Sequence, residues 1–285
     1  MKIYILNFIL AAFCVLTTSC GTQQKVLNAD VMTFNIRLNV PSDSLNSWQY
    51  RKDNAANMIR YYAPDILGMQ EVLYNQLVDL KERLPQYTAI GVGRTDGKEA
   101  GEYCSLFFKA DRFKLIKEGN FGLSETPEKI GIKGWDAAYE RIVTWAILKE
   151  KKTGQNFVCF NTHLDNMGEI ARREGAKLLL TKAKELAPGL PVVITGDFNG
   201  TSDSEPIQII THNGMKDTRA ASPVVYGPSW SFHDFGRLKN SERVLIDYIF
   251  VSASVQINKY CVIKDTPEQG YLSDHNPVLV NIIIK

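Results

Sequence analysis

Six apolar, strand-length stretches of this chain meet a polar or charged residue at one end, and this pattern constrains the fold more than any other feature. Met32-Thr33-Phe34 runs into Asn35, Leu67-Gly68-Met69-Gln70 into Glu71, and Phe157-Val158-Cys159-Phe160 leads through Asn161-Thr162 to His163. Ile194-Thr195-Gly196 gives way to Asp197, Leu245-Ile246 to Asp247, and Asp274-His275 stand just before the closing run Val278–Ile284. Runs this short suit buried strands better than helices. Rigid strands that emerge together on one rim are a good support for a preorganised site.

The intervening segments complete the scaffold. Helical periodicity covers Trp48–Tyr62, which Pro64 stops, then Leu73–Leu84, Ile170–Glu185 and a short stretch near Glu205–Thr211. Strands are expected at Ala29–Asn35, Asp65–Gln70, Thr88–Val92, Tyr103–Phe108, Arg112–Glu118, Val143–Lys149, Asn156–Thr162, Pro191–Gly196, Val244–Val251, Val255–Ile263 and Pro277–Ile284. Lys152-Thr153-Gly154-Gln155 has the chemistry of a hairpin turn between two of them. The expectation is one α+β domain over residues 29–285. Its form is a four-layer α/β sandwich, two mostly antiparallel sheets packed face to face with helices outside.

The N-terminus departs from this pattern. Met1-Lys2 is followed by an almost wholly apolar run from Tyr4 to Leu16, too short for a bilayer-spanning helix of about 20 residues. Residues 1–19 therefore read as an export signal, outside the fold. Leu16-Thr17-Thr18-Ser19-Cys20-Gly21 resembles a bacterial lipoprotein cleavage box, with Leu one place further from the Cys than usual. Residues 20–28 are then the lipidated Cys and a polar-rich tether, anchoring the chain to a periplasmic or surface membrane face; cleavage with release is the alternative. The remaining cysteines, Cys104, Cys159 and Cys261, lie in apolar surroundings at scattered spacing, which is neither a disulfide framework nor a zinc pattern. A net charge of +2 over 285 residues gives no overall field that would recruit nucleic acid.

Each polar residue has a structural reading beside its chemical one. Glu71 suits a cation or a rim salt bridge. Asn35 suits a site or a turn. His163 can move a proton near neutral pH, and Asp165, two residues on, is a carboxylate able to fix its tautomer. Asp197 and Asn199 share one side if the backbone stays extended, where carboxylate and amide together could hold a water and a phosphate oxygen; an Asp/Asn turn after the strand is the equal alternative. Asp247, inside an apolar strand, needs a partner, and both His275 and Arg243 are candidates.

Taken in order, Thr33-Phe34-Asn35, Gln70-Glu71, Asn161-Thr162-His163, Gly196-Asp197-Phe198-Asn199, Ile246-Asp247-Tyr248 and Ser273-Asp274-His275 resemble the endonuclease/exonuclease/phosphatase superfamily. That resemblance implies a phosphoesterase requiring Mg²⁺, or alternatively Mn²⁺. Glu71 would be the principal metal ligand, with Asn35 and Asp274 completing or orienting its shell. Asp197 and Asn199 would position water and phosphoryl oxygen, and His275, oriented by Asp247, would serve as general base or as a phosphate-stabilising imidazolium. His163 would assist the leaving oxygen. Arg141 could clamp the phosphate, with Asn35 and Asn199 as further substrate contacts; a surface arginine is its plainer reading.

The substrate implied is a phosphate ester, whether nucleic acid, phospholipid headgroup, or sugar or inositol phosphate. The Trp145 and Arg141 region keeps a nuclease acting on extracellular nucleic acid as one alternative. A non-catalytic surface binding protein retaining the fold is another, although such a scaffold has no need for all six motifs. Loops near Gly91–Glu102, Glu125–Trp135 and Tyr226–Leu238, including Arg94, Lys98 and Arg237, are expected to border the site.

Overall fold

Alternation along the strands generates the layers. The computed structural model describes residue 1, residues 25–264 and residues 270–285, so the export segment and Cys20 lie outside the described residues. β1 (Leu27–Asn35) starts two residues earlier than expected and shortens the tether accordingly. It is followed by α1 (Trp48–Tyr62), β2 (Ile66–Val72), α2 (Tyr74–Arg83), β3 (Tyr87–Ile90), β4 (Tyr103–Lys109) and β5 (Phe113–Gly122). Next come β6 (Ile142–Glu150), β7 (Asn156–His163), α3 (Glu169–Leu186), β8 (Val192–Asp197), α4 (Glu205–His212), β9 (Met215–Asp217) and α5 (Thr218–Ala221). β10 (Val225–Tyr226), β11 (Asp247–Ser252), β12 (Gln256–Val262) and β13 (Val278–Ile284) close the fold. The short elements β9, β10 and α5 carry too little periodicity to be read from sequence.

One sheet has the order β10-β12-β13-β1-β2-β4-β3 and the other β5-β6-β7-β8-β11-β9. Most neighbours are antiparallel, while β1–β2 and β7–β8 are central parallel pairs, each joined through a helix. Val31, Ile66, Val193, Ile249 and Val280 belong to the apolar core between the sheets. Their neighbours Met32, Leu67 and Phe34 face the other way, under α1 and α2. Phe160, Ile194 and Phe250 likewise pack under α3 and α4. The expected four-layer sandwich is the observed one.

Toward one end, the inner face changes from apolar to polar in register. Val31 pairs with Ile66, then Thr33 with Gly68, then Asn35 with Gln70. In the other sheet Cys159 pairs with Val193, Asn161 with Thr195, and His163 with Asp197, while Asp247 stands opposite Asp197. The middle polar layer is bonded across the sheets. Gln70 Nε2 donates to Asn161 Oδ1 at 2.7 Å and Thr33 Oγ1 at 3.0 Å, and Thr195 Oγ1 donates to Asn161 Oδ1 at 3.0 Å. Asn161 Nδ2 reaches the carbonyls of Met69 and Ser105 in the opposite sheet. All of these side chains are buried, so each bond replaces one that water would otherwise make.

Gly68 leaves the space this network occupies. A Cβ there would stand 2.1 Å from Thr195 Oγ1 and 2.6 Å from Asn161 Oδ1, with no flexible tip to yield. Gly68→Ala should therefore lower stability by about 1–3 kcal/mol, the usual cost of overpacking. Urea denaturation measures this, and an unchanged midpoint would show that the sheets can separate locally at no cost.

Candidate active site

A cleft of about 540 Å³ opens on the rim where the polar layers end. Glu71, Arg141, His163, Asp197, Asn199, Asp274 and His275 line it. Asn35 and Asp247 lie just behind and bond to the lining residues. All the residues singled out by the motifs are therefore brought to one place, although no two of the six segments need be neighbours in sequence.

Asn35 sits at the centre. Its Nδ2 donates to Glu71 Oε1 and to Asp197 Oδ2, both at 3.0 Å, and its Oδ1 accepts from the Arg37 amide. With its amide occupied in this way, Asn35 acts as an orienting group for both carboxylates. Glu71 has φ +61 at the strand end, where the register between β2 and β4 shifts between Met69 and Val72. A non-glycine residue in the left-handed region is strained, and here the strain turns the carboxylate into the cleft. Its Oε2 accepts from the Leu38 amide at 3.0 Å.

Arg37, which the motifs did not single out, binds Asp43 through two nitrogens at 2.9 and 3.1 Å. It stands only 3.9 Å from Glu71 and 3.8 Å from Asp274, too far for close hydrogen bonds. The Asp43 hydrogen bond, together with Asp274 and Glu71, strengthens its hold on its proton. Arg51 of α1 is buried behind these loops. It donates to the carbonyls of Asn46, Ile36, Leu272 and Arg37, and it lies over the rings of Trp48 and Phe235. Burial pulls its pKa down to about 10, yet it remains the clasp between the Arg37 loop and the Asp274 loop.

On the other side, His275 Nδ1 and Asp247 Oδ2 are 2.8 Å apart. Arg243 is not the partner of Asp247: it donates to the Leu238 carbonyl and stacks on Trp230. Asp247 is also the first residue of its strand and not an interior one, because Val244 bridges to Phe232 instead. Burial opposes charge on His275, but Asp247, Asp274 and Asp197 outweigh it and hold the imidazole protonated well above its ordinary range. His163 is the reverse: burial, reinforced by Arg141, Arg94 and His275, keeps it neutral. Asp197 is pushed up to about 7 by burial and by the Asp247 charge.

Asn199 reaches the cleft by a turn and not by continued alternation. Its φ is +46, its amide donates to Asp197 Oδ1 at 3.0 Å, and its Nδ2 lies 3.0 Å from His163 Nε2. Asp165 does not orient His163. It accepts from the amides of Ala138, Tyr139, Met167 and Gly168 and from Arg141 Nε at 3.1 Å. Arg141 is thus buried and not a surface residue; Asn166 holds its Nη2, and its Nη1 has no partner among the described residues. Trp145 packs in the outer core, away from the cleft. Arg94, ion-paired with Glu102 at 2.6 Å, and Tyr139, Phe232 and Asp234 complete the lining, whereas no residue of the Glu125–Trp135 loop does so.

Two sets of donors could hold a metal. Asp197, Asp247 and His275 have ligand atoms within 4.8 Å of one another. A protonated His275 closed onto Asp247 is a poor ligand. Glu71 and Asp274 offer oxygen atoms alone, and burial together with the Glu71 charge raises the Asp274 pKa although His275 and Arg37 oppose the rise. Hard oxygen donors of this kind fit Mg²⁺ or Mn²⁺.

The Asp165 carboxyl gives a test of the architecture. Burial alone would raise its pKa, but the Gly168, Met167 and Ala138 amides and Arg141 overcome this and hold it at about 2. A depressed carboxyl contributes stability above its unfolded value of about 3.9 and loses it as pH falls toward 2. Asp165→Ala should cost about 3–5 kcal/mol at neutral pH by stranding the Arg141 charge. The deficit relative to wild type should narrow between pH 4 and 2 in chemical denaturation. A constant deficit across that range would disprove the pairing.

Comparison with known proteins identifies the family. The model of the Endonuclease/Exonuclease/phosphatase family matches residues 32–275. The endonuclease/exonuclease/phosphatase structure from Bacteroides vulgatus is 45% identical, with a TM-score of 0.89, covering 91% of this chain and 100% of that one. The mannosyl-6-phosphatase structure from Bacteroides thetaiotaomicron is 38% identical, with a TM-score of 0.85, covering 89% and 99%. Protein angel of Drosophila melanogaster is 26% identical over 220 residues, 75% of this chain and 61% of that protein. This chain thus spans less than two thirds of that relative's length. With a match that begins in β1 and ends at His275, the chain belongs to the endonuclease/exonuclease/phosphatase family.

Proposed function

We propose that this protein is an exported, divalent-metal-dependent phosphoesterase that hydrolyses a sugar phosphate monoester by in-line attack of water. The observation that carries the reading is the unpartnered, buried Arg141 Nη1, held by Asp165 in the same cleft as Glu71, Asp197 and the His275–Asp247 pair. A fixed guanidinium beside an acidic metal-type site is suited to a phosphoryl group. Sugar phosphate is favoured over nucleic acid by Glu102 and Asp234 on the rim, ion-paired carboxylates that retain oxygen atoms able to accept from sugar hydroxyl groups. The 38% identity to a mannosyl-6-phosphatase supports the same choice.

Glu71 and Asp274 would hold the metal, which supplies charge neutralisation at the phosphoryl oxygens and a polarised water. Arg141 binds an equatorial oxygen, and His275, protonated against Asp247, stabilises the charge that develops there. Asn199 and Asp197 hold the attacking water in line, and Asp197 accepts its proton. Neutral His163 packs against this pair and keeps Asn199 in place through the 3.0 Å contact.

Mannose 6-phosphate, glucose 6-phosphate, bis-p-nitrophenyl phosphate and RNA form the test panel. Wild type should hydrolyse the hexose phosphates fastest, and EDTA should abolish the activity. Glu71→Gln and His275→Ala should each lose roughly 10²–10⁴-fold in kcat, as expected for removing preorganised charge or proton handling. Arg141→Ala should lose about 10- to 100-fold in kcat/KM, the value of a charge-assisted hydrogen bond. Faster turnover of RNA than of any hexose phosphate would replace the sugar phosphate reading with a nuclease, and activity that survives EDTA would sink the metal requirement.

A further inference from the structure

We infer that the end of the sandwich opposite the catalytic cleft is a docking surface for an anionic lipid bilayer, so that the cleft faces away from the membrane. β1 begins at that end with Leu27 and delivers Asn35 to the rim, about 27 Å away at the rise of a strand. The β4–β5 and β6–β7 turns and the last residue of the chain lie at the same end, because β4, β6 and β13 all run away from the rim.

Lys25, Lys114, Lys149, Lys151, Lys152 and Lys285 are exposed there. The acids among them are mostly engaged: Asp65 pairs with Lys109 and Arg112, and Glu150 with Arg112. Among the described residues, the lysines in ion pairs are Lys52, Lys109, Lys177 and Lys182, so these six are outside any ion pair, and Lys151 Nζ donates to the Ala110 carbonyl. Lys114 and Lys149 moreover stand directly opposite each other in the β5–β6 ladder. Like charges at such a pair destabilise a sheet, and neither lysine is in an ion pair among the described residues. An anionic surface laid against the pair turns the repulsion into attraction. A groove of about 570 Å³ at this end, lined by Lys25, Asn28, Arg112, Lys152 and the Arg112-paired Glu150, can admit a phosphate headgroup.

The point of chain entry selects lipid over other polyanions. Leu27 N donates to Gln155 Oε1 at 3.1 Å, which fixes the start of β1 next to the Lys151-Lys152 turn. Cys20 precedes Lys25 by only five residues. A tether that short reaches about 17 Å when extended, so an anchor at Cys20 keeps this end, not the rim, close to the bilayer. No helix among the described residues is long and apolar enough to cross a membrane. The choice of lipid rests on the anchor reading of the sequence, whereas the charge geometry does not.

All three apolar core clusters lie between residues 27 and 284, so a chain beginning at Gly21 keeps the whole fold and removes the anchor. Its binding to vesicles of phosphatidylcholine alone, and with 30% phosphatidylglycerol, would be measured by co-sedimentation in about 0.1 M salt, where screening still permits contact over ~10 Å. Binding should need the anionic lipid, and each of Lys114→Gln, Lys149→Gln and Lys152→Gln should weaken it about fivefold, the effect of one basic residue at a charged surface. Lys114→Gln and Lys149→Gln should melt at or above the wild-type temperature because they relieve the like-charge pair, which separates lost binding from lost fold. Equal binding to both vesicle types, wild-type binding by the triple variant, or tighter binding to RNA than to anionic vesicles would each overturn the proposal. Acyl labelling of Cys20 in the full chain decides the anchor separately, and neither assay reads phosphoesterase activity.

Discussion

The structure depends on the register between its two sheets, and that register is held by Asn161. Apolar packing alone lets sheets slide, because contact area changes little with a small shift. A buried amide bonded to Gln70, Thr195 and two carbonyls of the opposite sheet does not slide, since any shift strands several polar groups out of reach of water. The next layer up contains Asn35, His163, Asp197 and Asp247, so a displacement of the sheets would appear undiminished in the site. The polar layer thus serves the chemistry by fixing distances rather than by touching substrate.

Above that layer, electrostatics divides the cleft. Glu71 and Asp274 lie on one side, with Arg37 3.9 and 3.8 Å away, while His275 is held as a cation by three carboxylates on the other. Asp197 lies between, and burial and Asp247 place its proton affinity near neutrality. Asn35 couples the halves by donating to Glu71 and Asp197 with a single amide group. Substitution of this residue would disturb both sides at once, although it lies behind the groups that line the cleft.

Much of this was legible because chemistry stood at the ends of apolar runs. The helix at Trp48–Tyr62 and the strand that delivers His163 follow directly from periodicity and from Pro64. The His275–Asp247 pairing followed from the cost of burying a lone carboxylate, although Arg243 satisfied the same argument until geometry excluded it. Asp165 misled, because proximity in sequence to His163 says nothing about which way a side chain leaves the turn, and its partner Arg141 stands just before β6, far away in the chain. Arg37 and Arg51 were invisible for a related reason. Their importance comes from carbonyls and carboxylates of separate loops, and no local pattern marks an arginine that folds inward. For Asn199 the sequence left an extended strand and a turn equally open, and the left-handed turn is the one that delivers it to the cleft.

The position of β13 has a consequence for synthesis. This last strand lies between β12 and β1, and the turn that leads into it carries Asp274 and His275. A nascent chain can build β7, α3 and β8 early, since their contacts are local, but Asp247 then lacks its imidazole and Glu71 its companion carboxylate. Arg51 likewise has no Leu272 carbonyl to grasp until the final residues arrive. Hydrolytic competence therefore waits for β13 and the turn that precedes it, and a product that stops short of them carries a rim without the His275–Asp247 pair.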